Sequence, residues 1–248
     1  MNLDLRAHAA LAGRGGRGEV GRSLGAAELA HVEAYLASLG TEEAAARLRF
    51  VFGFGIHTGL RCEELARAVT GDLAPVEVKG QGTRWLLAVR GKGAKDRSVA
   101  LPRRATAVLF EYLRVRGIDA ALAGADATIP LLARLAGEGA EPGADTPEAS
   151  LALWRPPALS PARLYALSKQ LFARAARFAR AAGDEASAAR LARASTHWLR
   201  HTYGTRGAAG MPMPTLMREM GHADVRTTMK YVKPDAAERF RQVDKAFE

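Results

Sequence analysis

The chain has 248 residues, 48% of them hydrophobic, with a mean hydropathy of −0.11; that is enough for a sizeable buried core in one large domain. No apolar run approaches the roughly 20 residues that a membrane-spanning helix needs, and the N-terminus lacks the apolar stretch of a secretion signal. Lysines and arginines (36) outnumber acidic residues (26), and the formal charge of +10 favours a polyanionic partner, although an Ala/Arg-rich chain whose arginines only solvate helices would carry the same charge.

Residues 1–22 contain Gly13-Arg-Gly-Gly-Arg-Gly18, which cannot pack a core and is expected to be a flexible arm. Ser23 then stands as the cap of a helical pattern through Leu24, Leu29, Val32, Tyr35 and Leu36, closed by Gly40. A second helix is expected from Thr41, with Glu42 and Glu43 in its first turn, running through Leu48, Val51, Phe52 and Phe54 until glycines at 55 and 59 break it. A short helix follows over 60–69. The single cysteine, Cys62, lies in it; it excludes an intramolecular disulfide, reads as a small buried residue, and suits a reducing cytoplasm. Three antiparallel strands are expected at 76–79, 85–90 and 98–101, and Pro102 opens a helix to about Arg116.

From 117 to 157 the chain turns rich in alanine, glycine and proline, which predicts a surface insertion. Ser160-Pro161 caps a long helix on which Arg163, Lys169, Arg174 and Arg177 meet no acidic residue before Asp184. This is the candidate DNA-facing surface, with a merely solvated face as the alternative. Further helices are expected over 184–194, 196–209, 214–219, 224–232 and 234–247. The whole is mainly α-helical with a small three-stranded antiparallel sheet, in one domain over 23–248.

The chemistry concentrates in four stretches. Ser195-Thr-His-Trp-Leu-Arg-His-Thr-Tyr-Gly-Thr205 puts His197 and Arg200 three residues apart on one helix face, where an arginine fork can clamp two phosphate oxygens beside an imidazole that exchanges a proton. The others are Thr58-Gly-Leu-Arg-Cys-Glu-Glu-Leu65, Gly91-Lys-Gly-Ala-Lys-Asp-Arg97 and Met220-Gly-His-Ala-Asp-Val-Arg-Thr-Thr-Met-Lys-Tyr-Val232. Opening a phosphodiester piles negative charge on the non-bridging oxygens, and arginines can meet it without a metal. No paired-carboxylate or cysteine cluster stands out to hold one. His197 and His201 have the i, i+4 spacing of zinc ligands, but Trp198 occupies the position of the required glutamate and no third ligand is evident, so no metal is expected.

Together the four stretches resemble the catalytic domain of the tyrosine recombinases, the phage integrase family that includes the Xer-type resolvases. The resemblance covers about 24–247 apart from the 117–157 insertion. It implies that fold, and it implies a site-specific recombinase or integrase that cleaves and rejoins DNA through a 3′-phosphotyrosine, with no ATP, metal or other cofactor. Within it, Arg61 matches the first catalytic arginine and Glu64 the acidic residue that holds it. Lys92 matches the lysine that protonates the leaving 5′ oxygen, with Lys95 and Arg97 as equal candidates or as DNA contacts. His197 and Arg200 match the His-x-x-Arg pair, His222 a phosphate contact, and Tyr231 the nucleophile. Singly each has a plainer reading: Arg61–Glu64 as a helix ion pair, His222 as a cap, Tyr231 as a core residue.

Met220 stands where the family usually has leucine. Fewer than thirty residues precede the catalytic domain, so the family's N-terminal core-binding domain is expected to be missing and DNA binding by this chain alone to be weak. Double-stranded DNA is the implied partner, in a bacterial cytoplasm at the nucleoid, with self-association through 234–247 or a partner recombinase. The alternatives are a type IB topoisomerase that relaxes DNA and a non-catalytic DNA-binding remnant of a mobile element.

Overall fold

The computed structural model describes residues 20–91, 96–118, 127–135, 138 and 157–232. Helices α1 (Ala26–Ala37), α2 (Glu43–Thr58) and α3 (Cys62–Arg67) precede strands β1 (Leu73–Val78), β2 (Gly82–Val89) and β3 (Arg97–Leu101). Then come α4 (Arg103–Val115), α5 (Pro161–Ala181), α6 (Glu185–Arg193), α7 (Thr196–Gly210), α8 (Met213–Met220) and α9 (Val225–Met229). The expected helical domain with one small sheet is what folds.

Helix α2 is the partition of the molecule, because from Ala45 to Thr58 every residue but Arg49 and His57 is buried. Phe50, Val51 and Phe54 join a core with the inner face of the sheet, α4 and Leu164 of α5. Leu48, Phe52 and Ile56 join a second core with α1, α5, α6 and the start of α7. Gly55 was expected to break α2; instead the helix runs through it and stops at Gly59, whose φ of 61° sets the left-handed cap. The reason is tertiary. A Cβ on Gly55 would lie 2.8 Å from Leu199 Cδ1, so the missing side chain lets α7 close onto α2.

The sheet has the order β1-β2-β3, antiparallel throughout, with Leu73 opposite Leu87 and Leu87 opposite Val99. Period-two alternation sends Leu87, Val89, Val99 and Leu101 into the first core and leaves Ser98 and Ala100 outside. The strand β1 begins three residues earlier than expected, at Leu73, because that residue fills the core opposite Leu87.

The expected surface insertion needs correction. Ile129, Leu131, Leu132 and Ala133 are 5% exposed or less and belong to the fold's interior. The Leu131 amide donates to Ala68 O at 2.9 Å, and the Thr70 amide to Ile129 O at 2.9 Å, so this apolar run is laid beside the segment between α3 and β1. Buried Arg47 of α2 adds a fork onto Glu138, with Nη2 2.9 Å from Oε1. A low-complexity flank hid a five-residue hydrophobic anchor. Ser23 is likewise not the cap of α1: that place is Gly25, whose amide donates to Glu28 at 2.7 Å, while the Ser23 hydroxyl reaches Thr205 of α7. Of the arm expected over 1–22, residues 1–19 lie outside the described residues and Val20–Arg22 form a short 3-10 helix; the helix expected over 234–247 also lies outside the described residues.

Candidate active site

Arg61 is the N-cap of α3, held there because the following glutamate folds back on it: Glu64 accepts from the Arg61 amide at 2.7 Å and from its Nη1 at 3.0 Å. The Arg61 side chain is half exposed and faces a cleft of about 1130 Å³. The cleft is bounded by the start of α3, the β2–β3 ends, the first turn of α7 and the end of α8 with the 221–223 turn.

Glu64 is also the seat of an unexpected partner. Arg97 at the start of β3 grips it with two parallel bonds, Nη1 to Oε1 and Nη2 to Oε2, both 2.9 Å, while its Nε donates to Glu219 O of α8 at 3.0 Å. With Arg97 only 8% and Glu64 5% exposed, Arg97 is a buried strut at the edge of the cleft, its fork committed to Glu64. Burial drives the Glu64 pKa upward, but hydrogen bonds from Arg97 and from the Arg61 amide, then the Arg97 charge, outweigh it and bring it down to about 2. The carboxylate therefore stays ionised and fixes two arginines from two elements.

On α7, His197 and Arg200 share a face as their spacing requires, yet at different depths. His197 is exposed at the cleft, and its ring stands edge-on to His201 at 4.4 Å. Arg200 is 6% exposed; its Nη1 donates to Gly59 O and its Nη2 to Met220 O, each at 2.6 Å. Burial, with Arg61 nearby, lowers its pKa to about 10, so it remains charged at neutral pH. Two backbone carbonyls thus hold the fork at the floor of the cleft.

Gly221 ends α8 in the left-handed region, and the chain turns to present His222. Its Nε2 lies 3.0 Å from Arg200 Nη2 and its Nδ1 2.8 Å from Thr228 Oγ1. Burial, followed by the charges of Arg200 and Arg61, lowers the His222 pKa to about 4, so the ring is neutral at pH 7. Tyr231 stands behind it. The two rings are nearly parallel at 6.3 Å, His201 meets the phenol edge-on at 5.5 Å, and the residue is 7% exposed. It packs with Tyr203, Leu216 and Met220, and its ring occupies the space a Cβ on Gly204 would need, 2.7 Å from Cζ.

Arg61, Glu64, His197, Arg200 and His222 therefore meet around one cleft, with Tyr231 at its rear. Lys92 and Lys95 lie outside the described residues. The basic face of α5 is divided: Arg163 and Arg177 are exposed and Arg174 reaches the Tyr35 hydroxyl at 3.4 Å. Lys169, expected on the DNA side, instead donates to Ala192 O and Ala194 O at 3.0 Å and caps the end of α6. Cys62 is half-buried with its thiol on Pro161 O, a packing role. Sequence reasoning overlooked Arg67, Arg90 and Arg218, which line the cleft, and Thr228; the signal was their placement within a few residues of the motifs.

A family model for the phage integrase family matches residues 28–238. Tyrosine recombinase XerD of Brucella abortus biovar 1 (strain 9-941) is 35% identical over 176 residues, 70% of this chain and 44% of that protein. Tyrosine recombinase XerD of Brucella suis biovar 1 (strain 1330) is 34% identical over 214 residues, 86% of this chain and 55% of its own length. The chain thus spans about half the length of these curated relatives. In three dimensions it is similar to the XerH site-specific recombinase bound to difH substrate in a pre-cleavage complex, with a TM-score of 0.56 and 20% identity, covering 92% of this chain and 55% of that one. The XerA recombinase follows at 0.55 and 18%, covering 90% and 63%. Among the described residues no helix is long and apolar enough to cross a membrane. The chain belongs to the phage integrase family, the tyrosine recombinases, and has the fold of their catalytic domain.

Proposed function

We propose that this chain cleaves and rejoins double-stranded DNA at a specific site through a covalent bond between Tyr231 and a 3′ phosphate. The observation that carries the reading is the convergence of Arg61, Arg200, His197 and His222 on one cleft, with a phenol directly behind His222. Two guanidiniums that stay charged neutralise the pentacoordinate phosphorus, and no metal is needed for that. The Tyr231 oxygen forms the new bond to phosphorus as the bond to the 5′ oxygen breaks. His197, exposed at the mouth, takes up the phenolic proton, and Lys92 supplies one to the leaving oxygen. The bond energy is kept in the phosphotyrosine, so the reverse attack by a 5′ hydroxyl reseals a strand without ATP.

At 7% exposure the phenol does not yet line the cleft, so attack requires the 225–232 segment to shift when DNA binds. Structural neighbours support a DNA partner: XerH was solved bound to its difH substrate and the Tn1549 transposon integrase in complex with circular intermediate DNA. Pairing of DNA-bound protomers, through 234–247 or with a partner recombinase, completes the proposal.

The test is a suicide substrate nicked beside the scissile phosphate. Wild type is expected to form a denaturant-resistant protein–DNA adduct and Tyr231→Phe none. Tight binding by wild type with no adduct would defeat the reading; the buried phenol would then be a core residue, and the chain a DNA-binding remnant.

A further inference from the structure

Thr228 is fully buried, and the motifs give it no role. Its Oγ1 lies 2.8 Å from His222 Nδ1, and its carbonyl accepts from the Tyr231 amide at 3.0 Å. On the far side of the imidazole, Nε2 lies 3.0 Å from Arg200 Nη2. A guanidinium nitrogen can only donate, so Nε2 must offer its lone pair. The proton of the neutral ring then sits on Nδ1, and the threonine oxygen accepts it. Arg200 donates to His222, His222 donates to Thr228, and the backbone of Thr228 holds the turn that carries Tyr231.

We infer that Thr228 is a positioning residue of the phosphate site: it fixes His222 in the Nδ1–H form and couples that ring to the Tyr231 turn. The consequence is directional. With the proton on Nδ1, the Nε2 lone pair accepts from Arg200 and steadies the guanidinium that faces the phosphate. A ring with its only proton on Nε2 would aim an N–H at a guanidinium N–H, lose that bond and turn away. Position 228 thus decides which nitrogen faces Arg200, a role that needs an acceptor oxygen there as well as bulk. The catalytic part of this inference rests on the recombinase reading; the protonation pattern does not.

The experiment uses the full chain labelled with ¹⁵N-histidine, free of DNA, as wild type, Thr228→Val and Thr228→Ser. Long-range proton–nitrogen spectra report which ring nitrogen is protonated, and His222→Gln identifies the signal. Wild type and T228S are expected to show the Nδ1–H pattern. T228V keeps the shape without the acceptor and is expected to lose that pattern, while the other five histidine signals stay in place and show that the fold persists. On the nicked substrate, T228V is expected to form adduct roughly 10- to 100-fold more slowly at unchanged DNA affinity, the order of loss from a misaimed group, and T228S close to the wild-type rate. A wild-type His222 protonated on Nε2, a T228V chain that retains the Nδ1–H pattern, or one that captures DNA at full rate would each overturn the inference. Should wild type form no adduct, the recombinase reading fails, and the nitrogen pattern alone still decides the role of Thr228.

Discussion

Glu64→Gln tests the frame of the site through stability. The substitution keeps the shape of the side chain but removes the charge that holds Arg61 and Arg97, leaving a guanidinium that is 8% exposed without its counter-charge. The folded Glu64 pKa is about 2 against an ordinary value of 4.5. At about 1.4 kcal/mol per pH unit, that difference corresponds to about 3–4 kcal/mol of stability at pH 7. The folded pKa is depressed, so this contribution is fully present above 4.5 and drains away as the pH falls toward 2; at pH 3.5 about 2 kcal/mol remains. Thermal unfolding of wild type and E64Q is expected to differ by about 7–14 °C at pH 7, at 2–4 °C per kcal/mol for a chain of this size, and by distinctly less at pH 3.5. A gap below about 1 kcal/mol at neutral pH, or one that is flat or widens on acidification, would refute the reasoning.

Arg200→Lys keeps the charge but cannot span both Gly59 O and Met220 O while facing the phosphate. Single-turnover adduct formation is expected to fall at least about 100-fold with DNA retention largely preserved; a rate within a few fold of wild type would contradict the clamp. Gly204→Ala places a methyl group 2.7 Å from the Tyr231 ring and is expected to cost about 1–3 kcal/mol as the ring is displaced. An unchanged melting temperature would show that the phenol does not rest on α7.

The elements whose residues lie close in sequence were legible before any coordinates. Three-residue spacing put His197 and Arg200 on one face of α7, and the same spacing let Glu64 fold back on Arg61, because one helical turn brings such positions together in any fold. The strands expected at 85–90 and 98–101 fold as β2 and β3, and the structure adds their register, with Leu87 opposite Val99. What local spacing does not encode is which distant surfaces come into contact. Arg97 reads as a DNA contact or an alternative to Lys92 until β3 is laid against α3 and α8, where its fork meets Glu64 33 positions earlier. The run Ile129–Pro130–Leu131–Leu132–Ala133 reads as part of a loose insertion until the strip between α3 and β1 offers it backbone partners. Tyr231 is a motif tyrosine in sequence, but only the thin strip of α7 at Gly204 admits its ring behind His222. Periodicity along the chain determined directions and elements; the depth of each side chain, and so its charge state and its partner, was decided by packing that the chain can satisfy only once it is folded.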